Sequence, residues 1–438
     1  MRHLAPVTVS ARERGFSLLI LVAILAMGTI FALVAGLNKS AGALALARNQ
    51  KSYAALAQAR AALIADAVAD NNRPGSLLCP DLDNDGVSDA YAGNECPGYV
   101  VGSNVYLGRL PWRSLGLPDL RDGSGERLWY AVSRDWAKNP SCRPNCPLTS
   151  DTFGELTVTG IAPVSNAVAI IFAPGAVLGS QVRDTANQNT ASNYLEDENA
   201  NGNNATFTTQ TNSSTFNDQL LAITNDELMP VVEQRVAREM INYLNWYRTA
   251  IGVYPWADLG DGNSNGALGT AAYNRNRFPC NTALPTDWGS GGAPALPSWL
   301  TNGCLSGSPS GWSAVIYYAV AKNRLQGSGA GCTTCTASSL NVTNSTNSVA
   351  IQCTTAYNPP VCAPTLVTTG NTDLVLITPG GYTGSPARSW SMSNWTTISG
   401  YFNDPVSAVT TENSDNNDDN FQVPSTTGSN RVRMFIVR

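Results

Sequence analysis

The stretch RLWYAVSRDWAKN, residues 127–139, carries the first indication of the fold, because it recurs in shortened form as VIYYAVAKN at residues 315–323. A second pair of segments follows in the same order, VAIIFAPGAVLGS (168–180) and LVLITPGGYTGS (374–385). A recurrence at about 200 residues is typical of a duplicated structural unit. Hydrophobic strands of similar composition can also look alike without duplication, and that alternative stays open.

Each half also opens with a helical pattern. In the second half, apolar residues fall on one helical face and Gly252 ends the pattern. These residues are Val232, Val236, Met240, Leu244 and Tyr247. The corresponding stripe of the first half, which Pro74-Gly75 ends, consists of Tyr53, Leu56, Leu63, Ile64 and Val68. We therefore predict an α+β fold of two units, 41–225 and 226–438, each with a helix laid on an antiparallel sheet.

A further feature lies near the start of the chain, in RERGFSLLILVAILAMG (12–28). The run from Phe16 to Leu37 carries no charge, and as a helix it is roughly 33 Å long, enough to cross a bilayer core of about 30 Å. Basic residues precede it, which favours a cytoplasmic N-terminus. We predict a single membrane-spanning helix at 16–40. A secretory signal is shorter, but AGALALA (41–47) offers small residues for signal-peptidase cleavage, so a simple secreted protein is an alternative.

The same stretch resembles a known family. A basic leader ending in Gly15, then Phe16-Ser17-Leu18-Leu19 and an apolar stretch that continues into an amphipathic helix, is similar to type IV pilins and type II secretion pseudopilins. The resemblance implies removal of residues 1–15 by a prepilin peptidase, N-methylation of Phe16, and packing of the apolar helices of many pilin subunits into a filament core. It also implies that the two α+β units are pilin-like domains.

One position departs from the family pattern. Ile20 stands at the fifth mature position, where family members usually carry a glutamate that pairs with the N-terminal amine of a neighbouring subunit. An unpaired charge in an apolar core is costly, so a subunit without that neighbour has no use for the acid. The large tip subunit of type II pseudopili lacks it. The resemblance therefore implies a tip position.

Composition excludes several classes of function. The net charge of the 438-residue chain is −5, which argues against nucleic-acid binding. Its single histidine, His3, lies in the leader, so the mature chain has no Ser-His-Asp or Cys-His site and no histidine-ligated zinc. We therefore expect a protein that is not an enzyme. A membrane-anchored periplasmic enzyme with a histidine-free mechanism is the weaker alternative.

All ten cysteines follow the membrane segment, as expected for disulfides in an oxidising periplasm. Pairs that are close in sequence suggest five local bridges. The expected pairs are Cys79–Cys96, Cys142–Cys146, Cys280–Cys304, Cys332–Cys335 and Cys353–Cys362. Sequence alone does not fix this connectivity, and a redox or four-cysteine zinc site at C-x-x-C is an alternative.

The segment CPDLDNDGVSDAY (79–91) is the best local motif for chemistry. Alternate carboxylates on a tight loop offer the oxygen ligands that Ca²⁺ prefers. The expected calcium ligands are Asp81, Asp83, Asp85, the Val87 carbonyl and Asp89. The loop lacks the final glutamate of an EF-hand, and a solvated acidic turn is the alternative. Weaker copies are DENANG (197–202) and a loop with Asp261, Asn263 and Asn265.

These observations together predict a large minor pilin or pseudopilin, held in the inner membrane by its first helix with the globular part in the periplasm, and then part of a filament. The alternative is a pilus-borne adhesin or ligand-binding module for a surface or host ligand. Tryptophans in loops could form such a surface, although they more often plug small cores. They are Trp256, Trp288, Trp299, Trp390 and Trp395.

Overall fold

The fold mixes α and β structure, with two six-stranded sheets and one three-stranded sheet. The computed structural model describes residues 42–90, 95–138, 147–257, 274–279, 296–301, 311–325, 339–344, 349–354, 361–366, 370–382, 420–423 and 430–437. The predicted leader and the apolar run at 16–40 lie outside these ranges. Within them, no helix is both long and apolar enough to cross a bilayer.

Helix α1 spans residues 42–69 and packs one face against the first unit. Leu56 and Leu63 are fully buried, as predicted, and Ile64 and Val68 pack against the core. The prediction for Tyr53 is wrong, because its side chain is 57 % exposed. The buried face is completed by four small residues, Ser52, Ala55, Ala59 and Ala67. Small side chains let the helix lie close to its partners, which leaves no room on that face for the Tyr53 ring.

The C-terminal end of α1 is capped from a distant part of the chain. Arg235 donates from Nη1 to the carbonyls of Val68 (2.9 Å) and Asp70 (2.6 Å), and from Nη2 to Asn71 Oδ1 (2.8 Å). The last carbonyls of a helix have no partner within the helix and attract positive charge. This arginine therefore satisfies α1 and ties it to the second helix.

The first sheet follows α1. Its strands are β1 (Val105–Arg109), β2 (Trp129–Ser133), β3 (Leu156–Gly160), β4 (Val164–Ala173), β5 (Thr206–Thr209) and β6 (Gln219–Thr224). The order is β1-β2-β4-β3-β5, and β6 also pairs with β4. All pairs are antiparallel except β3 with β5.

Helix α2 (Asn225–Ile251) begins directly where β6 ends. The backbone N–H of Thr224 donates to the Glu227 carboxylate (3.3 Å), which is one of the two hydrogen bonds of a capping box. Gly252 ends the helix with φ 91°, a conformation that glycine adopts without strain. All five residues of the predicted stripe are buried, so this prediction is confirmed.

The second six-stranded sheet has the order β11-β10-β15-β13-β8-β7, and β12, β9 and β14 form the small sheet. In chain order these elements are β7 (Arg275–Arg277), α3 (Ser298–Thr301), β8 (Tyr317–Val320), β9 (Leu340–Asn344), β10 (Val349–Thr354), β11 (Val361–Leu366), β12 (Gly370–Thr372), β13 (Leu374–Tyr382), β14 (Asn420–Val423) and β15 (Asn430–Val437).

The recurring segments occupy corresponding strands in the same register. In the first sheet Tyr130 of β2 lies opposite Ile171 of β4, and in the second Tyr318 of β8 lies opposite Leu376 of β13. The flanking strands match as well, since β1-β2-β4-β6 and β7-β8-β13-β15 are both antiparallel throughout. Each set of four also follows one long helix.

One hydrophobic core joins the two predicted units. It contains Leu56 of α1, Val236 of α2, Tyr130 of the first sheet and Leu376 of the second. Two smaller clusters lie on the other faces of the sheets. Trp256 and Trp299 are buried, so packing is their role, and the other three loop tryptophans lie outside the described residues.

Candidate functional site

The acidic loop, residues 79–91, is anchored by two contacts at its start. Cys79 is disulfide-bonded to Cys96, as predicted, with 5.6 Å between the Cα atoms. Two residues later, Asp81 exchanges backbone hydrogen bonds with Arg109 at the end of β1 (3.0 and 2.7 Å). Cys353–Cys362 is also bonded as predicted, and the other three expected pairs lie outside the described residues.

The loop is folded around the carboxylate of Asp81. Its Oδ1 accepts the N–H of Asn84 (2.6 Å) and its Oδ2 accepts that of Gly86 (2.7 Å). Asn84 and Gly86 both have positive φ, 66° and 88°. A Cβ on Gly86 would lie 2.6 Å from the Trp112 ring, so close packing adds to the demand for glycine.

Three of the predicted ligands converge. Carboxylate oxygens of Asp81, Asp83 and Asp85 lie within 4.8 Å of one another, a spacing that one cation can bridge. Burial raises the pKa of the Asp81 carboxyl and the Asp83 carboxylate raises it further, while the N–H groups of Gly86 and Asn84 act in the opposite direction. The charges of Asp81 and Asp83 therefore oppose each other, and a divalent cation would relieve that repulsion.

Asp89 does not join this group. Its Oδ2 accepts the backbone N–H of Leu82 (2.7 Å), so the structure places its carboxylate in a supporting role at the base of the loop. The N–H of Val87 donates to Asp85 Oδ1 (2.6 Å). Of the weaker copies, Asp261, Asn263 and Asn265 lie outside the described residues. In the copy at 197–202, Asn199 is buried and its amide donates to Asp218 (3.0 Å).

Asp122, at the turn before β2, has a structural role. Asp122 is fully buried, and its Oδ1 accepts the N–H groups of Ser124 (2.8 Å) and Glu126 (2.9 Å). Its Oδ2 accepts the N–H of Gly175 at the end of β4 (2.7 Å). The carboxylate thus joins the turn to the end of the neighbouring strand.

A polar cleft of about 320 Å³ adjoins the acidic loop. Asn84 connects the two, since its carbonyl and side-chain oxygens accept Nη1 of Arg127 (2.6 and 3.0 Å). Four arginines line the cleft: Arg109, Arg121, Arg127 and Arg183. They come from three separate segments of the chain, so periodicity and motif spacing gave no signal for this cluster. The closest hint was the pair of arginines that flank the turn in RDGSGER (121–127).

Comparison with protein-family models, with curated proteins and with solved structures found no match to this chain.

Proposed function

We propose that this chain is a non-enzymatic minor pilin or pseudopilin, a structural subunit of a bacterial type IV pilus or type II secretion filament. The observation that carries the proposal is the segment RERGFSLLILVAILAMG (12–28), in which a basic leader, Gly15-Phe16 and an uncharged run follow one another. Prepilin peptidase, the inner membrane and other pilin subunits are the partners that this function requires.

The N-terminal turns of α1 support the proposal. Residues 42–48 are exposed on every side of the helix, and they include Leu44 and Leu46 at 54 % and 59 % exposure. Tyr53 is 57 % exposed further along the helix. Large apolar side chains on a solvated helix favour packing against another protein surface. In a filament, that surface would belong to the helices of neighbouring subunits.

The repeated topology supports two pilin-like units from a duplication. Both four-stranded sets have the same order, and the recurring sequences pair in the same register. A head of this bulk does not repeat easily along a tight helical array, and Ile20 replaces the acid that a repeating subunit would pair with a neighbour. We therefore place the protein at the filament tip. Crosslinking that found it distributed along filament shafts would contradict this placement.

The mature N-terminus tests the family proposal. Coexpressed with a prepilin peptidase, the full chain should lose residues 1–15 and carry a methylated Phe16, both visible by mass spectrometry. Gly15→Val should block cleavage. Gly42→Val should not block it, because Gly42 lies outside the leader. That variant should also fold, because no atom lies within 4 Å of a Cβ at this position. A mature chain that starts near Ala47 or Arg48 would instead indicate a simple secreted protein.

Within this function, we propose that Asp81, Asp83 and Asp85 bind Ca²⁺. Three carboxylates are fewer than the six to eight oxygens that Ca²⁺ takes, so backbone carbonyls and water would supply the others. The cation would hold the loop that carries the first disulfide and one wall of the cleft. Calcium here would be structural.

A further inference from the structure

Arg109 is a buried cation that forms no salt bridge with an acidic side chain among the described residues. Its side chain is 3 % exposed at the end of β1. The guanidinium lies between two aromatic rings, with Cζ 4.3 Å from the centre of Trp129 and 3.9 Å from that of Tyr194. Nε donates to the Gln188 carbonyl (3.1 Å) and Nη1 to the Arg127 carbonyl (3.2 Å). Neutral carbonyls satisfy N–H groups but do not cancel the charge.

The other three arginines of the cleft are paired. Arg121 and Arg127 share the carboxylate of Asp119 (2.7 and 2.8 Å), and Arg183 lies 3.4 Å from Glu126. Glu126 and Asp184 are the acids of the lining, and Asp119 lies outside it. The four guanidinium groups and these three carboxylates leave one positive charge in excess. The carboxylates of the adjoining acidic loop do not line the cleft.

We infer that this cleft binds a small, hydroxyl-rich molecule that carries a single oxyanion, of the kind presented by an acidic monosaccharide unit. One excess positive charge matches one carboxylate. Oxygen acceptors for ligand hydroxyls are present on Glu126, Asp184 and Gln188. Few apolar side chains line the cleft, which argues against an apolar ligand. A volume of about 320 Å³ lies in the range of small-molecule sites. The inference does not rest on the filament proposal.

The test compares glucuronate with glucose on the full chain in detergent, by ligand-observed NMR and calorimetry. The two sugars share a ring and differ in the carboxylate, so we expect glucuronate to bind and glucose to bind at least about tenfold more weakly. Sulfate, an oxyanion without a sugar ring, should bind more weakly than glucuronate. Equal binding of the two sugars, no binding of either, or sulfate binding as tight as that of glucuronate would overturn the inference.

Two surface variants locate the site without disturbing the core. Arg121→Gln removes a charge at the rim, where the side chain is 44 % exposed and Asp119 keeps Arg127 as a partner. It should weaken glucuronate binding about tenfold or more. Arg113→Gln removes the same charge from an exposed arginine outside the cleft and should leave binding unchanged. Equal weakening by both variants would reduce the effect to general electrostatics and contradict the site.

Discussion

Gly86 occupies a position where the backbone and its surroundings both exclude a side chain. Its φ of 88° is a conformation that other residues rarely adopt, and Trp112 covers the place where a Cβ would lie. The Gly86 N–H donates to Asp81, so a shift of this residue would also disturb the acidic loop. Gly102 has nearly the same φ, 87°, but no atom lies within 4 Å of its missing Cβ.

This contrast gives a prediction for two alanine variants. Gly102→Ala should lower the free energy of unfolding by about 1–2 kcal/mol, the strain of positive φ. Gly86→Ala should lower it by a further 1–3 kcal/mol or so, because overlap with Trp112 adds an overpacking cost. Chemical denaturation measures both. Equal effects of the two variants would show that Trp112 moves aside freely.

Removal of calcium gives a second prediction for this loop. At calcium concentrations about 100-fold above Kd, binding to the folded state alone adds about 2.7 kcal/mol of stability, so a chelator should lower Tm. Asp83→Asn should abolish this shift. Asp89→Asn should retain it, since the Asp89 carboxylate contacts the Leu82 backbone and an amide oxygen can replace it. An unchanged Tm after addition of the chelator would contradict calcium binding and indicate a solvated acidic turn.

At the level of secondary structure, residue patterns predicted α2 and the recurring strands well. Helical spacing places Val232 and Val236 on the buried face, and in each half the two recurring segments form neighbouring antiparallel strands. Tyr53 was mispredicted because α1 uses alanines to lie close to its partners, which a hydrophobicity pattern does not reveal. The arginine cluster was missed because its members meet only through tertiary packing.

Glu233 is a buried polar link between α2 and the second sheet. Its side chain is fully buried and accepts hydrogen bonds from Ser150 Oγ (2.6 Å) and Thr378 Oγ1 (2.8 Å), and it forms an ion pair with Arg433. Ser150 precedes β3, Thr378 lies in β13 and Arg433 in β15. One carboxylate therefore joins the first unit to two strands of the second.

Replacing this carboxylate should destabilise the protein strongly. Glu233→Gln leaves Arg433 without its partner, and breaking a buried ion pair costs about 3–5 kcal/mol. Glu239→Gln on the same helix removes a partly exposed carboxylate that pairs with Arg235 (2.7 Å), and should cost about 0.5 kcal/mol. Urea denaturation compares them. Similar losses for the two variants would contradict the role of Glu233.

For the molecule as a whole, two acids buried side by side make stability depend on pH. Asp218 is 5 % exposed and its Oδ2 accepts the Glu196 N–H (2.9 Å), while Glu196 Oε2 accepts the Asp218 N–H (3.2 Å). Burial raises the pKa of Asp218 well above its ordinary value, and the Glu196 charge raises it further. The folded chain thus holds a proton that the unfolded chain releases near pH 3.9.

Because the pKa of Asp218 is higher in the folded than in the unfolded chain, the direction of the pH dependence of stability is fixed. The contribution of Asp218 to stability is present below about pH 3.9 and is lost as pH rises through its folded pKa. Asp218→Asn should therefore gain stability relative to the parent as pH rises from about 4 toward neutrality. Partial burial raises the pKa of the Asp119 carboxyl, but hydrogen bonds from Arg127 and Arg121 outweigh this effect and lower it. Asp119→Asn should therefore lose stability relative to the parent as pH rises through the range below about pH 4, and should show no trend from there to neutrality. Parallel trends in thermal melts across pH would refute the assignment.

The junction between β6 and α2 has a mechanical consequence. Thr224 ends the strand and Asn225 begins the helix, so no residue between them is free to turn. A swing of one unit against the other would have to open either the β4–β6 ladder or the first turn of α2. Tension applied along α1 would therefore reach the second sheet through a rigid connection. The two units would tilt together, because no flexible linker separates β6 from α2.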